Sequence, residues 1–457
     1  MSRPVDHTTL HRTAKYFMDS GRAKTHEAAM KMLKGFGLTI HAGPEIAASA
    51  DHQTALLTLV NVARRTFLAG IEVVGLQGGP CISALMPGGP LRDAVRRLGG
   101  RAVSAARPDW PSAVIGTVGA AALQWPSWRV TWEGWRGGVV PLGFGSALSE
   151  HGAMAFAPIL AAAVCAGEVF AYHAGDHFLA GRRPAGLSLW RPGADWQVTD
   201  ESEPLLAYLP SSLWLIGLGN LGQAFAWLLS SLPYADRTKV QLLLQDFDRV
   251  SKSNVSTSLL TFVRHLRRRK ARVVAKWLEA RGFETVVEER RFGAWTNRAA
   301  SEPGVALCGV DNALARASLE KVGFDLVVEA GLGAGPEAFR SFSIHSFPAS
   351  HSAEAIWSRQ VAAGDATYDD RPAYQALQKA GLDRCGVALL GSRTVSVPFV
   401  GLIAASLALA ELLRRLNGGV ALELAGGSVL ALEDVEAVDF RASAYPGAYV
   451  DVKPTRR

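Results

Sequence analysis

Gly217, Gly219 and Gly222 form a GxGxxG pattern inside SLWLIGLGNLGQAFAWLLSSL, between an apolar run that reads as a buried strand and a run that reads as a helix. That setting suits phosphate. The glycines let backbone approach it closely, and the helix N-terminus offers N–H groups and partial positive charge. The turn alone does not choose between a dinucleotide and ATP. Asp246 ends the next apolar strand, where a carboxylate can accept hydrogen bonds from ribose hydroxyls under either reading. Asp248, Ser253-Asn254, Lys270 and Asp311-Asn312 then follow, with Arg316 behind them. A dehydrogenase needs neither a lysine after the acidic strand end nor a carboxylate at the next strand end. An adenylating site uses both, the lysine to neutralise phosphate charge and the carboxylate to hold Mg²⁺ against the phosphates.

The elements that would position these residues read as an α/β chain. In the second half, strand-like runs at 213–216, 240–248, 285–292, 305–312 and 326–333 alternate with helical stretches, which predicts a doubly wound parallel sheet with its ligand edge at the strand C-termini. Residues 1–50 read as helical. The stretch 55–70 reads as an amphipathic helix, and 71–76, 112–117 and 128–135 as strands. From His173 to Ser212 the chain turns polar, which places a linker or boundary near 200. AFAPILAAAVCAGEVF (155–170) is similar to PFVGLIAASLALAELL (398–413), and each closes an α/β half, which suggests a duplicated fold. The uncharged stretches 152–167 and 394–410 are shorter than a membrane span and read as buried helices.

With GLGNLG, DFDRVSKSN, Lys270 sixteen residues after Asn254, and Asp311-Asn312 in this order, the chain resembles the ThiF/MoeB/ubiquitin-activating superfamily over about 213–335. The resemblance implies that Asp246 holds the ribose of ATP, Asn254 and Lys270 its phosphates, and Asp311 the Mg²⁺. Gly217, Gly219, Asn220, Gly222, Asp248 and Asn312 complete the expected nucleotide site. For Asp248, a turn-stabilising role is the competing reading. Asn220 replaces a family glycine. Thr257 replaces the phosphate-binding arginine of SNLxRQ, leaving Arg264, Arg267 or Arg268 to compensate. The zinc cysteine pairs of the sulfur-carrier branch are missing.

The four cysteines, at 81, 165, 308 and 385, form no CxxC pair and no disulfide framework. Cys385 has the most polar surroundings, and Arg384 beside it favours thiolate. By resemblance it occupies the place of the catalytic cysteine in an insertion, about 337–394. The expected architecture is therefore two Rossmann-like adenylation folds. Residues 1–200 form an inactive domain, without GxGxxG and with LQGGPC (76–81) as a poor substitute; residues 201–457 form the active, ATP-binding one. Such a chain would work as a monomer with an internal pseudo-dimer, and Arg12 is the candidate for an arginine finger from the N-terminal helix.

The whole is most like the activating component of bacterial ubiquitin-like conjugation operons of antiphage defence, the Bil type. The resemblance implies adenylation of the C-terminal carboxylate of a ubiquitin-like protein, a thioester on Cys385, and transfer to a separate conjugating enzyme. The alternative is a small-molecule or peptide adenylyltransferase of the same superfamily without a thioester. The N-terminus lacks the apolar core of a signal peptide, which points to the cytoplasm and away from membranes. The formal net charge is +7, and six positive charges lie between Arg264 and Arg272. Clustered about Lys270, they suggest a local anion site and not nucleic-acid binding.

Overall fold

The computed structural model describes residues 6–119, 123, 126–143, 146–363, 371–392, 394–441 and 445–452, with the backbone alone for 359–363, 384, 385, 389 and 392. The first half contains α1 (Arg12–Asp19), α2 (His26–Leu33), β1 (Gly37–Ala42), α3 (Ala50–Ala63), β2 (Gly70–Val74), α4 (Leu91–Leu98), β3 (Arg101–Val103), β4 (Ser112–Ile115), β5 (Ser127–Glu133), β6 (Arg136–Pro141), α5 (Ala157–Ala174) and β7 (Ala185–Ser188). The second begins with β8 (Tyr208–Pro210), β9 (Ser212–Ile216), α6 (Asn220–Ser231), β10 (Gln241–Gln245), α7 (Lys270–Glu279), β11 (Glu284–Glu288) and β12 (Val305–Cys308). It continues through α8 (Ala313–Ala317), β13 (Leu326–Leu332), α9 (Gly335–Ala338), β14 (Ser341–Phe347), α10 (Ala353–Ala363), α11 (Pro372–Lys379) and α12 (Arg384–Ser392). The last elements are α13 (Pro398–Leu416), β15 (Ala421–Ser428), β16 (Ala431–Phe440) and β17 (Tyr449–Asp451).

Two sheets result, ordered β3-β2-β1-β4-β5-β6-β7 and β11-β10-β9-β12-β13-β14-β15-β16. Strand for strand the second repeats the first, with β9 to β15 in the places of β1 to β7 and β16 added at the edge. In each sheet the first five strands are parallel and the later ones antiparallel. The chain therefore consists of two Rossmann-like folds, and the alanine-rich helices α5 and α13 close them and pack on each other. Small side chains allow that approach: on α5, Gly167 faces Phe399 of α13, whose ring lies 3.5 Å from where its Cβ would be. One apolar core runs through both halves. On length and composition α5 could cross a bilayer, but 89% of its apolar window is buried inside the protein.

The structure corrects three expectations. Residues 1–50 are not all helical, because Gly37–Ala42 is an inner strand of the first sheet. Its polar Thr39 and His41 break the apolar run, yet both are buried, and His41 Nε2 lies 3.2 Å from Ser112 Oγ on the neighbouring strand. The stretch 173–212 is not only a linker, since β7 pairs with β6 there. The segment 337–394 does not interrupt the sheet along its whole length, because β14 pairs with β13 and β15.

Candidate active site

Gly217 takes a left-handed backbone (φ 80°) as the chain leaves β9, and a Cβ there would come within 2.8 Å of Val310, just beyond β12. Gly222, in the first turn of α6, lies so close to the turn that a Cβ would overlap the Gly217 carbonyl oxygen. Gly219 differs. It caps α6, and nothing lies within 4 Å of the position its Cβ would take. Two glycines thus serve close packing, while the third leaves open space at a helix N-terminus, the space a phosphate needs.

Asp246, at the end of β10, fastens this turn. One carboxylate oxygen accepts from the Leu218 N–H at 2.7 Å and the other from the Asp248 N–H at 2.7 Å. Burial pushes its carboxyl above the usual range, and each oxygen keeps a lone pair for a hydroxyl donor. Lys270, the first residue of α7, is only 9% exposed and donates to Asp248 at 2.7 Å. Burial pulls its ammonium down, but Asp246, Asp248 and Asp311 together outweigh that and hold it above its ordinary value. Residues from the ends of β10 and β12 and the start of α7 therefore act on one ammonium group.

Asp311 and Asn312 follow β12 and are exposed. Asn312 caps α8, its Oδ1 accepting from the Ala315 N–H at 3.0 Å. Arg316 fixes the turn from below, donating to the Val310 carbonyl at 2.8 Å and pairing with buried Glu329 at 3.2 Å. The Asn254 Oδ1 accepts from the Ser251 N–H at 2.9 Å and hydroxyl at 3.0 Å, closing a capping box. Asn220 does not join the group expected to meet the nucleotide. Its amide donates to the carbonyls of Ser396 and Val397 at 3.0 and 3.2 Å, and α13 comes this close because Gly401 has no side chain to displace it. Asn220 thus ties the glycine turn to the connection that follows α12.

The basic cluster also lies elsewhere. Lys270 faces carboxylates, whereas Arg264 stacks over Phe262 at 4.3 Å and Arg268 lines a separate groove with Arg272 and Lys276. Because α7 begins only at Lys270, the preceding arginines sit on a 3-10 turn and a loop, with no helical spacing to aim them at the glycine turn. Arg12 is brought beside the segment after Asn254: its N–H bonds Ser256 Oγ at 3.1 Å and its guanidinium donates to the Thr394 carbonyl. Sequence reasoning missed Arg65. Buried just past the C-terminal end of α3 in the first half, it donates to the carbonyls of Val255 at 2.6 Å, Leu259 at 2.5 Å and Thr261 at 3.1 Å, holding the segment that contains Thr257. It reads in sequence as one half of an ordinary Arg-Arg pair ending a helix.

Cys385 is the second residue of α12; its side chain lies outside the described residues. Cys81, Cys165 and Cys308 are buried. Burial, with Glu329 nearby, pushes the Cys308 thiol up to about 12, and burial also raises Cys81 and Cys165.

The counterpart of the glycine turn in the first sheet follows β1, not β2, so LQGGPC is not its equivalent. There Glu45 accepts from the Thr117 N–H at 2.9 Å, and a Cβ on Gly43 or Gly116 would come within 2.5 Å of its carboxylate. In the first half a carboxylate thus sits beside the turn whose counterpart in the second half leaves open space.

Family models match both halves: one described as the BilD N-terminal domain over residues 37–189 and one described as the BilD C-terminal domain over residues 209–419. The chain is 60% identical over 454 residues, 99% of its length and 98% of the relative's, to the bacterial E1-like protein BilD of Collimonas sp. (strain OK412). Among solved structures it is similar to E. coli MccB. In the crystal structure with MccA-N7isoASN and in that with ATP, identity is 10%, coverage is 51% of this chain and 65% of that one, and the TM-score is 0.33. The chain thus spans 65% of the length of those MccB chains. The sequence match carries the assignment; this slight likeness does not.

Proposed function

The chain belongs to the BilD family of bacterial E1-like proteins, and on that premise we propose that it adenylates the C-terminal carboxylate of a ubiquitin-like protein and then holds that protein as a thioester on Cys385. The observation that supports adenylation is the open space at Gly219 beside a buried, charged Lys270. ATP is the substrate that fits. Its phosphates would lie against the N–H groups of α6, and Lys270 would exchange its bond to Asp248 for one to phosphate. Asp246 would keep the turn in shape and accept from the ribose.

Among the described residues no group of three or more His, Cys, Asp or Glu could hold a metal alone. Mg²⁺ would therefore be held by exposed Asp311 together with the phosphates, and would supply charge neutralisation there. A carboxylate oxygen of the incoming C-terminus attacks the α-phosphorus, and the bond to the leaving pyrophosphate breaks. The Cys385 thiolate then attacks the activated carbonyl, the C–S bond forms, and AMP leaves with the electron pair. The degenerate half gives the site its support through Arg65 and brings in Arg12, as the second fold of an internal pseudo-dimer. A separate conjugating enzyme would take the thioester.

Incubation with ATP, Mg²⁺ and the ubiquitin-like proteins encoded beside this chain is expected to give a DTT-sensitive adduct on non-reducing gels. Cys385→Ala should abolish that adduct and leave ATP–pyrophosphate exchange intact. Exchange in the wild type without any adduct would favour an adenylyltransferase that uses no thioester.

A further inference from the structure

The positive charge that does not face the glycine turn gathers in a groove of about 770 Å³ along α7, lined by Phe262, Arg264, Arg268, Arg272, Lys276 and Trp277 among others. None of the residues lining it belongs to the crevice formed by Gly217, Asp246, Asp248, Lys270 and Asp311. We propose that this groove docks an acidic segment of a partner protein, an interaction separate from the chemistry at Lys270.

Of the six cations lining it, Arg269 and Arg281 donate to the backbone carbonyls of Phe247 and Leu85, and the other four stand at the surface. Arg264, Arg268, Arg272 and Lys276 are exposed. Among the described residues only Arg272 has a carboxylate partner, Glu289 at 2.9 Å. Arg264, Arg268 and Lys276 form no ion pair among the described residues, and all three bear on His265, which burial and these charges hold below its ordinary value. Arg272 and Lys276 stand four residues apart on one helix, where like charges repel. Four cations gathered on the turn, the loop and the first turns of α7, with one carboxylate among them, have a net attraction for further carboxylates, and guanidinium groups bind these in pairs of hydrogen bonds.

The aromatic floor distinguishes the partner's class. The Trp277 indole stacks on Trp227 at 5.4 Å and carries the Arg281 guanidinium at 3.3 Å. Phe262 carries the guanidinium groups of Arg64 at 4.4 Å and Arg264 at 4.3 Å. Both rings are thus already engaged, and the stacking platform that single-stranded nucleic acid requires is taken. With ten residues, α7 is about 15 Å long, enough for a short extended peptide but not for a phosphate track many nucleotides long. Leu260 and Val273 add apolar lining between the cations, which matches a segment mixing acidic with aliphatic residues.

The test uses the full-length protein and a fluorescent peptide alternating Glu with Leu, read by anisotropy at physiological salt. The expected result is saturable binding by the wild type and at least about tenfold weaker binding by Arg268→Glu/Lys276→Glu. A Lys/Leu counterpart peptide should bind neither protein. The charge-neutral pair Arg268→Ala/Lys276→Ala gives the same reading with less demand on folding, and ATP–pyrophosphate exchange at the wild-type rate shows that either variant is folded. Equal peptide affinity in wild type and variants overturns the proposal. So does an oligonucleotide that displaces the peptide at equal charge and loses affinity in the same variants, which would assign the groove to nucleic acid.

Discussion

Lys270→Ala is expected to lower ATP–pyrophosphate exchange by about 10²- to 10³-fold, the size of effect seen when one preorganised charge or donor is removed from a water-poor site. Lys270 is nearly buried, and three carboxylates keep it charged. It is therefore fixed in place before any phosphate arrives, which is what makes a single cation worth so much. Lys270→Arg should recover only part of the rate, because a planar fork cannot take the place of a point charge at the start of a buried helix. Stability should change much less, since the partner Asp248 is 47% exposed and such a pair contributes about 1 kcal/mol or less.

The loss of Lys270 also has a pH signature through Asp246. Burial already raises that carboxyl, and Lys270 opposes the rise. The folded state thus holds the proton more tightly than the unfolded chain, so this group adds stability as pH falls from its folded value toward the ordinary 3.8. In Lys270→Ala the window widens, and thermal unfolding measured on descending pH should show the variant closing its gap to wild type. An exchange rate within a few-fold of wild type would remove Lys270 from the phosphate role.

The second large effect separates the glycines of one motif. Gly222→Ala should destabilise the second fold by about 3 kcal/mol or more, because the new Cβ meets a backbone oxygen that cannot swing away. For a fold of this size that is a drop in Tm of roughly 6–12 °C, readable by thermal shift, with exchange lost alongside. Gly219→Ala should leave Tm within a degree or two, since its Cβ enters open space, yet weaken ATP by about tenfold or more because that space lies at the N-terminus of α6. If Gly219→Ala binds ATP normally, the phosphates do not lie there.

The sequence by itself determined where the candidate site residues of the second half gather. GxGxxG, Asp246, Lys270 and Asp311 fall at strand ends and helix starts, and in a parallel sheet those positions must gather at one edge whatever the loops between them do. It also suggested the duplication, through two similar alanine-rich helices, and the matching strand order of the two sheets shows it. Only the tertiary structure decided what the intervening polar residues do. Asn220 sits inside the motif, but the close approach of α13 at Gly401 takes its amide. The arginines from 264 to 269 adjoin Lys270 in sequence, yet the 3-10 turn and loop that carry them lead to a different surface. Glu45, Arg65 and the buried polar strand β1 left no pattern to read, since each is satisfied by a partner distant in sequence: the backbone of Thr117, the carbonyls of 255–261 and the hydroxyl of Ser112. Periodicity registers where a side chain can be buried, but long-range hydrogen bonds decide which polar side chain is, and those exist only once segments distant in sequence have been folded together.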